Sequence, residues 1–137
     1  MVPKVVRNND ELRKLAAEAE SYQRMQNSLR EQIVSVNMSS MESAVAINSL
    51  EKIKGGENSL VSLGSGIYVK AQMEKKQKIL VDMGSGIYGE VEPERAIDIL
   101  KKRIEEGRVY SDKLETEMKK VKQSLTELEG KARQYLE

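Results

Sequence analysis

The chain has 137 residues, 33% of them charged and 4% aromatic, with a formal net charge of +1 and no Cys, His, Trp or Phe. That composition removes a disulfide framework, a thiolate metal site, the commonest general base and the large aromatics of an ordinary globular core. The interleaved charges form no basic stripe for nucleic acid, no window approaches the roughly 20 apolar residues of a membrane span, and Met1-Val2-Pro3-Lys4 lacks a signal-peptide run, so a soluble cytoplasmic protein is expected.

The first predicted element is a long helix over residues 8–54. Asn8-Asn9-Asp10-Glu11 offers capping side chains and early negative charge. A 4-3 spacing then runs through Leu12, Leu15, Ala19, Tyr22, Gln26, Leu29, Ile33, Val36, Ser40, Ser43, Ile47 and Leu50. Apolar residues hold nine of those twelve places, the mark of a coiled-coil seam rather than of one face of a globular helix. The seam softens at Ser35, Ser39, Ser40 and Ser43, with Met38 and Met41 between them. We read this as a weakly packed stretch or a phase shift that turns Met41 and Ala44 inward. The alternative is a flexible methionine surface for a partner. Lys52 and Lys54 suit the negative end of the helix, and Gly55-Gly56 ends it.

Residues 59–91 say nearly the same thing twice. Leu63-Gly64-Ser65-Gly66-Ile67-Tyr68 returns twenty residues later as Met83-Gly84-Ser85-Gly86-Ile87-Tyr88. Apolar residues keep to odd numbers, at Val61, Leu63, Ile67, Val69, Ala71, Met73, Ile79, Val81, Met83, Ile87 and Val91, the alternation of half-buried strands. Four strands are expected, over about 59–63, 67–73, 78–83 and 87–91. Each pair is closed by a Gly-Ser-Gly turn, and Glu74-Lys75-Lys76-Gln77 connects the two. Gly84-Ser85-Gly86-Ile87-Tyr88-Gly89 has the letters of a dinucleotide fingerprint. It is rejected because the sister copy has Val69 in the last place and Ile-Tyr continues as strand where a helix is required. Two isolated hairpins are marginal in water and their edges stay open to further strands, so the module is expected to be an assembly surface.

A second helix is predicted over 93–136. Glu92-Pro93-Glu94 starts it, with Pro in the first turn and an acid near the positive end. Its seam is Ile97, Leu100, Ile104, Gly107, Ser111, Leu114, Met118, Val121, Leu125, Leu128, Ala132 and Tyr135. Gly107 and Ser111 read as a tolerated weak spot. Glu115/Lys119, Glu127/Lys131 and Glu129/Arg133 are i,i+4 pairs of a solvated face.

The fold expected is therefore mostly α with a small β module: a long antiparallel helical coiled coil whose helices are joined by two β-hairpins, within one domain spanning 1–137. Pairing the helices antiparallel brings the two termini together at the free end. There Val5, Val6, Leu12, Leu15, Leu128, Tyr135 and Leu136 are expected to be partly exposed and able to hold other apolar chains without sequence preference. No cofactor or metal is expected. Without a P-loop or a convergent carboxylate cluster, an enzyme is not expected either.

With both helices and the twin Gly-Ser-Gly hairpins in view, the chain resembles the prefoldin α-class subunits over essentially its whole length. The most specific segments are Leu60 to Val69 and Val81 to Tyr88, and two hairpins rather than one point to the α class. The resemblance implies oligomerisation through the hairpins (Val61, Leu63, Gly64, Gly66, Ile67, Val69, Ile79, Val81, Met83, Gly84, Gly86 and Ile87), which form a β-barrel platform. It implies β-class partner subunits in a hexamer of two α and four β chains. It further implies an ATP-independent holdase whose tips capture unfolded protein clients and pass them to a group II chaperonin. A structural coiled-coil or filament-forming protein of the same family is the alternative.

Overall fold

The 4-3 repeat produces the helices it predicts. The computed structural model describes residues 4–53, 58–74 and 77–136, with side chains from residue 9 onward. The elements in order are α1 (Lys4–Lys52), β1 (Asn58–Gly64), β2 (Ile67–Gln72), β3 (Ile79–Asp82), β4 (Tyr88–Val91) and α2 (Pro93–Leu136). The expected terminator Gly55-Gly56, Lys54, and Lys75-Lys76 of the connector lie outside the described residues, as do the side chains of Val5, Val6 and Asn8.

The α1 helix begins before the expected cap. Asn8, Asn9 and Asp10 lie inside it, and its first turn carries no acid. Adding a residue to an existing helix gains a hydrogen bond without a new nucleus, so a long helix runs through residues of middling propensity. By contrast α2 starts as read. Ala96 N–H donates to the Glu92 carbonyl at 3.0 Å, which makes Glu92 the cap and Pro93 the first helical residue. Pro has no N–H to leave unsatisfied there.

The chain divides into two compact units, 1–39 with 107–137, and 40–106. In the first, Leu29, Leu114, Met118 and Val121 form a buried cluster, with Tyr22, Ile33, Val36 and Leu125 packed against it. All are predicted seam residues. Early residues of α1 meet late residues of α2, as an antiparallel pair requires. Tyr110 Oη donates to Gln32 Oε1 at 3.1 Å, while Leu12 to Gln23 and Leu125 to Ala132 line one groove. Gly107 and Ser111 hold their seam places half-buried, and α2 runs through them unbroken.

No phase shift occurs in the serine-rich stretch. Ser40 and Ser43 keep the seam half-buried, Ala44 is exposed, and Met41 is 69% exposed. The helical period holds because a slip would have to propagate to Ile47 and Leu50, which are both covered. Glu115/Lys119, Glu127/Lys131 and Glu129/Arg133 are not closed as ion pairs among the described residues. Pairs that do form include Arg108–Asp112 at 3.0 Å and Lys14–Glu11 at 3.8 Å. Holding two long exposed side chains together gains little over leaving each hydrated.

The second unit carries the hairpins. β1 pairs with β2 and β3 with β4, both antiparallel, as two separate two-stranded sheets. In the first, Val61 faces Val69, and a register irregularity falls between Ser62 and Gly64, which puts Gly64 opposite Ile67.

Candidate interaction surfaces on the hairpins and helix ends

The repeated turn shapes both hairpins the same way. All three residues of each Gly-Ser-Gly have positive φ: 97°, 51° and 77° at residues 64–66, and 104°, 54° and 75° at 84–86. Ser65-Gly66 and Ser85-Gly86 thus supply the two consecutive left-handed residues of a tight hairpin loop, whose twist matches that of the flanking strands. Ile87 N–H closes the second loop onto the Gly84 carbonyl at 3.0 Å, and Met83 N–H donates to the Ile87 carbonyl at 2.7 Å.

Two further residues complete the turns, and the alternation of apolar and polar positions does not single them out. Gly64 N–H donates to Ser62 Oγ at 3.3 Å, and Gly84 N–H donates to Asp82 Oδ1 at 2.9 Å. They occupy equivalent places in the twenty-residue repeat, so comparing the copies for a short oxygen-bearing side chain two residues before the first Gly would have found them. Asp82 has a second role, because its backbone carbonyl accepts a hydrogen bond from the Arg103 guanidinium and ties the second hairpin to α2.

The two copies differ in how much they cover. In the second hairpin the odd face is sheltered away from the turn: Val81 is 8% exposed and Ile79, Gly89 and Val91 are half-buried. Of the strand residues of the first hairpin, Ser59 and Ala71 are half-buried and the rest exposed, with Val61, the counterpart of Val81, at 39%. Leu63, Ile67, Val69, Met83 and Ile87 are exposed, as are the turn glycines Gly64, Gly66, Gly84 and Gly86. Leu60, Leu80, Tyr68 and Tyr88 are exposed too, all on the even face that the odd-number pattern assigns to solvent. Their recurrence at an interval of twenty was the available signal. Contiguous exposed apolar surface is uncommon on an isolated soluble chain, where such residues are usually scattered.

The predicted tip residues with described side chains fall in three classes. Leu136, at 74% exposure, and Tyr135 are open to solvent. Leu12 and Leu15 are half-buried and, with Ala16, Ala19, Leu125 and Ala132, line an apolar groove of about 440 Å³. Leu128 departs from the expectation of partial exposure. It is 7% exposed, because a seam position is covered by the facing helix even within three turns of the chain's end. Val5 and Val6 lie on the described α1 backbone, but their side chains are outside the description. Among the described residues no group of acidic side chains could hold a metal ion, and no helix is long and apolar enough to cross a membrane.

Comparison with known proteins agrees with this architecture. The family model for the prefoldin subunit matches residues 9–137. The chain is 25% identical over 122 residues to "Prefoldin subunit alpha" of Methanococcus vannielii, covering 89% of this chain and 84% of the relative. It is 30% identical over 71 residues to "Prefoldin subunit alpha" of Methanococcus maripaludis, covering 52% of this chain and 49% of that one. In fold it is similar to the filamentous PFD of Methanocaldococcus jannaschii solved by cryo-EM, with a TM-score of 0.55 and 24% identity over 90% of this chain and 99% of the other. Two long helices joined by two hairpins, a family match across nearly the whole length and relatives that are α subunits lead to one conclusion: the chain belongs to the prefoldin family, as an α-class subunit.

Proposed function

We propose that this subunit acts in an ATP-independent holdase, joining β-class subunits through its hairpins and holding unfolded clients at its helix ends. Membership of a family of co-chaperones supports the general role. The observation that carries the specific reading is the split between a seam that is satisfied within the chain and apolar surface that is not. Leu29, Leu114, Met118 and Val121 are buried, whereas Leu60, Leu63, Ile67, Tyr68, Leu80, Ile87 and Tyr88 on the hairpins are exposed, as is Leu136 at the end of α2. Completion of the hairpins by strands of neighbouring subunits removes that surface and the open edges together. Weak, non-directional contacts at several helix ends then combine by avidity to hold a client. Two α and four β chains is the stoichiometry proposed, in the cytoplasm, with release of the client to a group II chaperonin.

The test is light scattering from an aggregating client mixed with stoichiometric amounts of this subunit and a β-class partner. Suppression of aggregation is expected, and undiminished scattering in the presence of a verified hexamer refutes the holdase. A second reading, self-assembly into filaments, is favoured by the fold likeness to a filamentous PFD. Sizing of the lone chain separates the two. Open-ended polymers support the filament, and a discrete complex that appears only with the partner excludes it.

A further inference from the structure

The two hairpins differ in what holds them, and the difference runs against their lengths. β1 and β2 pair from Asn58↔Gln72 to Gly64↔Ile67, whereas β3 and β4 pair only from Ile79↔Val91 to Asp82↔Tyr88. By cross-strand pairing alone the first hairpin is the sturdier. Yet its facing pair Val61 and Val69 is 39% and 44% exposed, while Val81, opposite Gly89 in the second, is 8% exposed.

The second hairpin has supports of three kinds. Only Glu92 separates β4 from α2. The Met83 side chain lies across Gly89: its Cε is 3.3 Å from where a Cβ would stand, the place that Val69 fills in the first hairpin. The Asp82 carbonyl accepts a hydrogen bond from the Arg103 guanidinium. Ala96, Ile99 and Arg103 recur at intervals of three and four residues and so share a face of α2. On that face Ala96 is 1% exposed and Ile99 is half-buried. We infer that the second hairpin and the start of α2 form one cooperative piece of the lone subunit, clamped by Arg103, and that the first hairpin opens independently and is held shut once a partner covers it. The second half of this inference rests on the proposed joining of subunits through the hairpins. An uncovered two-stranded hairpin is marginal in water, and segments with few buried apolar contacts open locally at small cost. A hydrogen bond from a charged donor is among the stronger ones. The subunit thus presents one preformed pair of strands and one adaptable pair that orders as a neighbour docks.

Hydrogen exchange read by mass spectrometry on the full lone chain compares peptides covering residues 58–72 with peptides covering 79–91, each corrected for its intrinsic rate. The second set is expected to exchange at least about tenfold more slowly, whereas strand length alone predicts the reverse order. Arg103→Ala changes an exposed side chain to a good helix former. It is expected to speed exchange over 79–91 by about tenfold, leaving 58–72 and 111–128 unchanged, and Arg103→Lys, which keeps a donor, is expected to restore part of the protection. Equal protection of the two hairpins in the parent overturns the inference, and so does an Arg103→Ala that leaves 79–91 unchanged. A loss spread equally over 111–128 overturns the clamp as well, since the arginine then supports the helices in general. In a verified complex with a β-class subunit, 58–72 is expected to gain more protection than 79–91. A smaller or equal gain overturns the ordering step. Absence of any complex overturns the joining of subunits on which that step rests, while the lone-chain comparison decides the clamp by itself.

Discussion

Replacing Leu114 with Ala tests whether the intrachain seam holds the first unit together. Leu114 is 5% exposed and belongs to the cluster with Leu29, Met118 and Val121. Truncating a buried Leu removes its transfer free energy and leaves a cavity, together about 2–5 kcal/mol. A two-helix seam is thin and open at its sides, so neighbouring side chains can partly fill the gap. That places the cost at the lower end, about 2–3 kcal/mol. For a domain of this size each kcal/mol moves the midpoint by about 2–8 °C, so a fall of roughly 10 °C is expected. Met41→Ala is the matched comparison: it removes a longer side chain from a site that is 69% exposed and is expected to change stability by less than about 0.5 kcal/mol. Thermal melts of the lone chain, followed by far-ultraviolet circular dichroism at one fixed concentration, read both. A fall after Met41→Ala as large as after Leu114→Ala would refute the seam assignment. So would a Leu114→Ala midpoint within a degree or two of the parent.

Gly66→Ala and Gly86→Ala place a Cβ at φ of 77° and 75°, where nothing crowds it but the backbone is strained. Each is expected to cost about 1–2 kcal/mol, read as a shift in the denaturant midpoint. Asp82→Ala is expected to weaken the second hairpin more than Ser62→Ala weakens the first, because the lost acceptor is charged and its bond shorter (2.9 against 3.3 Å), and hydrogen exchange at Gly84 and Gly64 compares them. Ile67→Asp with Ile87→Asp alters only exposed side chains of the lone chain, so its melt should stay within about 0.5 kcal/mol of the parent while complex formation with a β-class subunit, measured by native mass, is lost. Tyr135→Ser with Leu136→Ser should leave that complex intact and reduce its suppression of client aggregation; retention of full activity would remove those two residues from the tip site.

Much of the helical part was legible because coiled-coil covering is periodic. Eleven of the twelve α2 seam positions are buried or half-buried, with Tyr135 just beyond, and all twelve in α1 are covered. The period even settles the serine stretch, since Ser40 and Ser43 follow their places in the repeat rather than their polarity. What periodicity does not reveal is depth. Leu128 looked like a fraying end residue and is buried, whereas Leu12 and Leu15 flank a groove. The hairpins were legible as a repeat but not as two different environments. Val61 and Val81 are equivalent in sequence, yet only Val81 is sheltered.

The residues alone determined that there would be two long amphipathic helices, four strands in two like hairpins and turns built on Gly-Ser-Gly. These follow from local periodicity and from which φ angles a residue tolerates, both short-range properties of the chain. Tertiary structure decided how deeply each place is covered and what reaches it: that Val81 is sheltered where Val61 is open, that Leu128 is buried near the end of α2, and that the Asp82 carbonyl takes the Arg103 guanidinium. Burial and pairing depend on neighbours distant in sequence, and no local pattern carries that information.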